Sequence, residues 1–214
     1  MGSGEHLETE RKYNAGPDFA LPDFTGLPGT AAVSPPRRQR LTATYFDTAD
    51  LRLIGARVTL RRRTGGHDAG WHLKLPAGAD TRREIRLPPG RPGRPVPSQL
   101  AALVREWAGG EPLVPVARLQ TTRIIRHLLG AAGQVLAEVA DDRVTASRAA
   151  GAAAAGPAEP CWQEPVSWRE IEVELAEGGP DLLDAAGRRL TGAGAVPARS
   201  ASKLARLLGP AGAG

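Results

Sequence analysis

The stretch Leu7-Glu8-Thr9-Glu10-Arg11-Lys12-Tyr13 constrains the fold more than any other part of the chain. It reads as a strand, and side chains two apart on a pleated backbone point the same way. Glu8, Glu10 and Lys12 therefore share one face, and Leu7, Thr9, Arg11 and Tyr13 share the other. A rise of about 3.3 Å per residue sets the two carboxylates roughly 7 Å apart, with an ammonium next along. In water such a face is ordinary. Inside a barrel it is costly unless a metal or another partner meets the charges. Taken alone, the strand fits a solvated face; the repetition of its pattern in later strands overturns that reading.

Residues 14–41 are rich in Pro and Gly and read as a loop, with Arg37, Arg38 and Arg40 as a solvated basic cluster. Leu41 to Thr48 predicts a second strand, and residues 49–54 a short helical turn. Arg57 to Arg63 predicts a third strand, with Thr59, Arg61 and Arg63 opposite Val58 and Leu60. After a loop, Trp71 to Leu75 sets Trp71, Leu73 and Leu75 against His72 and Lys74, and Arg82 to Leu87 puts Arg82, Glu84 and Arg86 on one face. Pro97 to Gly109 has helical spacing, with Ser98 as its cap and Gly109-Gly110 as its stop. Arg118 to Leu129 carries Thr121 and Arg123 on one face, and Val135 to Thr145 carries Glu138, Asp141 and Asp142. Residues 149–160 form an Ala/Gly/Pro segment expected to be mobile. Trp168 to Leu175 mirrors the first strand, with Glu170, Glu172 and Glu174 opposite Ile171, Val173 and Leu175. Helices over Asp181–Gly192 and Ser200–Leu208, the second bearing Lys203, follow.

About eight mostly antiparallel strands and a few helices make an α+β chain, and that strand count can close a barrel. A sheet with one wet face would alternate in the same way. It would mix its surface charges, however, whereas here cationic rows follow an acidic first strand. With charged faces inward, carboxylates suited to hard divalent cations would oppose Arg and Lys suited to phosphate oxygens. A net charge of +5 and a pI near 10.1 agree in pointing to an anionic partner. Nucleic acid is the weaker candidate, because the arginines alternate inward with carboxylates and few aromatics could stack bases. The single cysteine, Cys161, excludes an internal disulfide and a cysteine-based zinc site. His6, His67, His72 and His127 show no ligand spacing and read as surface or turn residues. No apolar run reaches transmembrane length and no signal pattern leads the chain, so the expectation is a cytoplasmic protein without a membrane partner.

Glu8-Thr9-Glu10-Arg11-Lys12 resembles the E-x-E-x-K motif of the CYTH superfamily, the triphosphate tunnel metalloenzymes. Tyr45-Phe46-Asp47-Thr48, Leu60-Arg61-Arg62-Arg63, Trp71-His72-Leu73-Lys74-Leu75, Glu170-Ile171-Glu172-Val173-Glu174 and Ser202-Lys203 resemble its later blocks in the right order. The first motif alone is weakly specific; the ordered set is strong. The spacing is most similar to bacterial proteins in which CYTH precedes a helical CHAD domain. The chain stops where that domain would begin, as a stand-alone form or a fragment would, with a single domain over residues 1–209 and a tail over 210–214.

This resemblance implies an eight-stranded antiparallel β-barrel, a triphosphate tunnel with flanking helices, that binds a linear triphosphate with Mg²⁺ or Mn²⁺. It implies metal ligation by Glu8, Glu10 and two of Glu170, Glu172 and Glu174, with Asp141 as the acidic residue of the seventh strand and Glu138 as its competitor. Lys12, Arg61, Arg63, Lys74, Arg123 and Lys203 would grip phosphate. Glu84 and Arg86 fit the lumen, where Arg86 would join the grip on phosphate, or an exterior salt bridge equally well. Glu8, Glu10, Lys12, Asp141 and Lys203 would carry catalysis. The implied reaction is hydrolysis of tripolyphosphate to diphosphate and phosphate. ATP or thiamine triphosphate as substrate, a class IV-type adenylyl cyclase, and a non-catalytic polyphosphate- or nucleotide-binding module are the alternatives.

Overall fold

A computed structural model of the chain describes residues 4–78, 81–91, 93–150 and 160–209. Its strands are β1 (Gly4–Ala15), β2 (Ala32–Val33), β3 (Arg37–Asp47), β4 (Thr59–Thr64), β5 (Gly70–Pro76), β6 (Thr81–Leu87), β7 (Val114–Leu129), β8 (Val135–Arg148), β9 (Val166–Leu175) and β10 (Val196–Pro197). The helices are α1 (Arg52–Gly55), α2 (Ser98–Leu103), α3 (Arg105–Ala108), α4 (Pro180–Gly192) and α5 (Lys203–Leu208). Neighbour follows neighbour in the order β1-β6-β5-β4-β3-β7-β8-β9, and β9 returns to β1, closing an eight-stranded antiparallel barrel. Closure falls on β1 itself: residues 4–9 pair with β6, and residues 10–15 pair with β9. Closing the sheet removes the open edges that would otherwise expose unpaired backbone.

Alternation then sorts the side chains. Apolar outward residues of β4–β6, among them Leu60, Leu73 and Ile85, are covered by α1–α3 through Leu53, Leu100 and Val104. Those of β1, β8 and β9 (Tyr13, Val139, Ile171 and Val173) are covered by α4 through Leu182, Leu183, Ala186 and Leu190. Gly187 lets α4 settle there, since a Cβ at that position would lie 2.4 Å from Tyr13 Oη. A third cluster plugs one end of the barrel. Ala43, Leu119 and Ala146 share a row with Arg63 on the inner wall, and Leu204 of α5 packs among them. Each fully buried leucine of this kind contributes about 1.5–3 kcal/mol.

Several elements differ from the sequence reading. Arg37, Arg38 and Arg40 lie in β3, whose pairing with β7 over a long register outweighs the polar, proline-flanked composition. The helix expected over residues 97–109 is divided at Val104 into α2 and α3. Pro97, already extended at φ −54° and ψ 134°, takes the cap position, and Ser98 begins the helix instead of capping it. Of the segment expected to be mobile, residues 151–159 lie outside the described residues, as does the tail. Asp47, at the polar turn after β3, is fully buried, and its carboxylate accepts from the backbone N–H groups of Thr48 (2.7 Å), Leu53 (2.8 Å) and Ile54 (2.9 Å). It holds the α1 turn and stands away from the lumen.

Candidate active site

Register fixes what faces the lumen, because residues directly opposite on paired strands point the same way. Three rows cross β1, β9 and β8. Glu10, Glu174 and Glu138 form one; Lys12, Glu172 and Ala140 the next; Asn14, Glu170 and Asp142 the third. The far wall carries the cations Arg61 and Lys74, with one carboxylate, Glu84, beside them: Arg61 stands opposite Tyr45 and His72, Thr59 opposite Lys74, and Lys74 opposite Glu84. The two walls enclose a cavity of about 350 Å³, lined by Glu8, Glu10, Lys12, Tyr45, Arg61, Arg63, Lys74, Glu84, Arg86, Arg123, Glu138, Glu172, Glu174 and Lys203.

Its charges are extensively cross-linked. Lys12 Nζ donates to Glu172 Oε1 at 2.7 Å and lies 2.5 Å from Glu10 Oε2. Arg123 makes a two-point bond to Asp142 (2.8 and 2.6 Å) and reaches Glu172 at 2.7 Å. Lys203 Nζ sits 2.9 Å from Asp142, 2.7 Å from Glu170 and 2.8 Å from Glu172. Trp168 Nε1 donates to Glu170 Oε2 at 2.6 Å, fixing that carboxylate. Lys74 pairs with Glu8, and Arg86 with Glu84.

Two places carry charge that this network leaves uncompensated. Burial, and then Glu8, push the Glu174 carboxyl up to about 7, and Glu10 and Glu172 add to the effect. Burial, and then Arg61 and Arg123, press the Arg63 guanidinium down to about 10 despite its ion pair with Asp68. Nε of Arg61 and Nε of Arg63 are buried donors with no hydrogen-bond partner among the described residues. One pole of the lumen therefore favours a cation and the other an anion, since buried charge is stable only when compensated.

Most residues expected at the site meet in this lumen; Asp141 does not. Asp141 points through the other side of the wall, where Arg169 donates to it from Nε (2.9 Å) and Nη2 (2.8 Å). Asp142 takes the lumen place, because its partner across the ladder is Glu170 whereas Asp141 faces Ile171. Glu138 faces the lumen too, 3.3 Å from His127 Nε2 and 3.8 Å from Arg123. His72 is no surface residue: it is 1% exposed, with Nδ1 at 2.8 Å from Glu84 Oε1 and Nε2 at 2.8 Å from the Asp68 carbonyl. The sequence reading gave Tyr45, Asp68 and Asp142 no site role. For Asp142 a signal existed: Glu138 and Asp142 are four apart and share a strand face, which Asp141 cannot.

A closed antiparallel barrel whose lumen sets carboxylates against arginine and lysine defines a class of protein, and the comparisons agree with it. The chain matches the CYTH domain over residues 6–208 and belongs to the CYTH family. Two uncharacterized proteins of Mycobacterium tuberculosis, from strains CDC 1551 / Oshkosh and ATCC 25618 / H37Rv, are each 46% identical over 211 residues. The match covers 95% of this chain but 40% of each relative, so the chain spans about two-fifths of their length. Among solved structures, a candidate adenylate cyclase of Bacillus halodurans is similar at a TM-score of 0.59 and 16% identity, over 96% of this chain and 99% of that one. A protein of Pyrococcus horikoshii OT3 is similar at 0.52 and 17%, over 94% and 98%. At such identities these two likenesses speak for the fold. Among the described residues no helix is long and apolar enough to cross a membrane.

CYTH proteins depend on divalent metal ions. The donor chemistry present fits one: among the described residues, oxygens of Asp142, Glu170 and Glu172 gather within 4.8 Å of one another, and the neighbouring Glu10–Glu174–Glu138 row offers only carboxylate oxygens, the donors Mg²⁺ and Mn²⁺ prefer.

Proposed function

We propose that this lumen binds inorganic triphosphate and hydrolyses it to diphosphate and phosphate with Mg²⁺ or Mn²⁺. The observation that carries the reading is the pairing of a cation-seeking row (Glu10, Glu174 and Glu138) with anion-seeking arginines (Arg61 and Arg63) in one enclosed cavity. A linear triphosphate bearing a divalent ion presents both charges at once.

Each residue has a role that follows from its chemistry. Arg61 and Arg63 offer fixed, permanently charged donors to nonbridging oxygens, and Arg123, held by Asp142, offers a third at the deep end. Lys12, Lys74 and Lys203 add point charges that neutralise the negative charge developing on the leaving oxygen. Glu8, Glu10 and Glu174, with Glu138 beside them, would hold the metal, whose chemistry there is to polarise phosphate oxygens and lower the pKa of water. The barrel wall screens the reacting groups from bulk solvent, which strengthens every one of these contacts.

The test is phosphate release from tripolyphosphate with Mg²⁺ or Mn²⁺. Wild type turns over, and Glu8→Gln with Glu10→Gln does not; equal turnover by the double variant would reject the assignment. A second reading, an organic triphosphate such as ATP or thiamine triphosphate, is favoured by the apolar side chains Ile125, Val135 and Leu175 in the cavity lining, where a base or thiazolium could rest. Incubation with ATP and Mn²⁺, read for cyclic AMP against ADP plus phosphate, separates cyclase from triphosphatase.

A further inference from the structure

Besides Glu8 and Glu84, which pair with Lys74 and Arg86, the carboxylates of the lumen fall into two groups that meet their charge differently. In the first, oxygens of Asp142, Glu170 and Glu172 lie within 4.8 Å of one another, a spacing a divalent ion could use. The ammonium of Lys203 stands among them, in contact with all three. Its tether is anchored: Ser202 Oγ accepts from the Ala205 N–H at 3.1 Å at the start of α5, and Leu204 is 1% exposed in the end plug. In the second group, Glu10, Glu174 and Glu138 face one another across β1, β9 and β8. Like charges directly opposite on adjacent strands repel, and Glu174 has no lysine or arginine at ion-pair distance among the described residues.

We propose, on the reading of the lumen as a metal-dependent phosphate site, that Lys203 reserves the Asp142–Glu170–Glu172 triad for its own ammonium and closes it to divalent metal. The resting lumen then takes its metal at the Glu10–Glu174–Glu138 row, with Glu8 beside it, and not at the triad. The physical ground is competition between a tethered and a free cation. The lysine is held at the triad at an effective concentration set by its four-carbon side chain and the anchored start of α5. A dication entering the triad would have to expel that ammonium into a buried lumen already crowded by Arg123. The three carboxylates already face three cations, Lys203, Arg123 and Lys12, so a dication added among them would leave positive charge uncompensated, and a buried ammonium stripped of its partners is strongly disfavoured.

Metal counting on the full chain tests this without reference to turnover. Mn²⁺ is titrated into metal-free protein, and the free ion is read by electron paramagnetic resonance. Wild type is expected to bind one Mn²⁺, lost in Glu174→Gln; Glu170→Gln in the otherwise natural chain leaves that ion's affinity unchanged. Lys203→Met, or Lys203→Gln if the methionine variant fails to fold by circular dichroism, gains a second Mn²⁺ at least tenfold tighter than any second ion in wild type. Adding Glu170→Gln to that variant abolishes the gain. A Lys203 variant that gains no ion overturns the proposal, as does a wild-type chain whose Mn²⁺ is lost with Glu170→Gln. Even if neither Lys203 variant folds, loss of the wild-type ion with Glu170→Gln would overturn the proposal. This binding pattern in a chain that leaves tripolyphosphate intact would sink the proposed hydrolysis and leave the division of the lumen standing.

Discussion

Asp141 and Asp142 are consecutive on β8, and each holds an arginine in a two-point ion pair on opposite sides of the barrel wall: Arg169 outside, Arg123 inside. The two aspartates should therefore fail in different ways. Asp141→Asn breaks a buried pair whose Arg169 also ties down the carbonyls of Pro17 and Phe19, so it should cost about 3–5 kcal/mol of stability. Asp142→Asn frees Arg123 and weakens the seat of Lys203, so it should lower kcat/KM for tripolyphosphate by about 10²-fold through misplacement of binding groups. Thermal melts and tripolyphosphate kinetics on both variants check this. An Asp141→Asn chain with normal stability and lost activity would reverse the assignment.

Arg61 and Tyr45 face each other on β4 and β3, and Arg61 Nη1 donates to Tyr45 Oη at 3.2 Å. The phenol is a positioning partner; the guanidinium, with its Nε unpaired, is the group that would meet phosphate. Arg61→Ala should cost about 10²–10³-fold in kcat/KM, roughly 2.7–4 kcal/mol. Tyr45→Phe removes one ordinary hydrogen bond and should cost no more than about tenfold. Equal losses in the two variants would mean that Tyr45 touches the substrate itself.

Alternation carried most of the fold and much of the lumen into view from the sequence. Glu8, Glu10, Lys12, Arg61, Arg63 and Lys74 could be assigned a face because their strands alternate strictly. Asp142 was hidden by its neighbour: with two aspartates in succession, parity helps only when it is anchored to a third residue, here Glu138. Glu170, Glu172 and Glu174 share a face, so alternation cannot divide them; their different partners arise from α5 and from β1, both distant in sequence. Lys203 shows this most plainly, since a short helix that plugs a barrel end leaves no periodic trace of where its first residue points. His72 looked like a polar residue on a strand, and the buried Glu84 that meets it comes from the next hairpin.

His72 leads to a spectroscopic prediction. A backbone carbonyl only accepts, so Nε2 must donate to the Asp68 oxygen. Nδ1 then faces the Glu84 carboxylate at 2.8 Å, and two acceptors cannot meet at that distance without a proton between them. Burial, which disfavours a charged ring, works against this and pulls the His72 pKa down; the pair of acceptor contacts decides the outcome in favour of a retained proton. Nitrogen-15 chemical shifts at pH 7 should show His72 without a free imine nitrogen. A clear imine signal from Nδ1 would contradict this.

Glu174 makes one contribution to the stability of the ligand-free chain that falls as pH rises. Its folded pKa, raised to about 7 by burial and then by Glu8, exceeds its ordinary value of 4.5. Between those two values the native chain binds more protons than the unfolded one, so stability falls as pH rises through that window. A tenfold change in proton affinity is worth about 1.4 kcal/mol, so this one carboxyl makes the fold up to about 3 kcal/mol less stable at pH 8 than at pH 4. Glu174→Gln should flatten that slope, and its melting temperature at pH 8 should match or exceed that of wild type. A divalent ion at the Glu10–Glu174 row reverses the sign for wild type: it demands the carboxylate, so Mn²⁺ should bind more tightly as pH climbs toward 8 and should stabilise the fold most where the free chain is weakest. Melts at pH 5 and pH 8, with and without Mn²⁺, give all four values. A Glu174→Gln chain with the same stability difference between pH 5 and pH 8 as wild type, or a wild-type chain that Mn²⁺ stabilises more at pH 5, would show that Glu174 is not the carboxyl under strain.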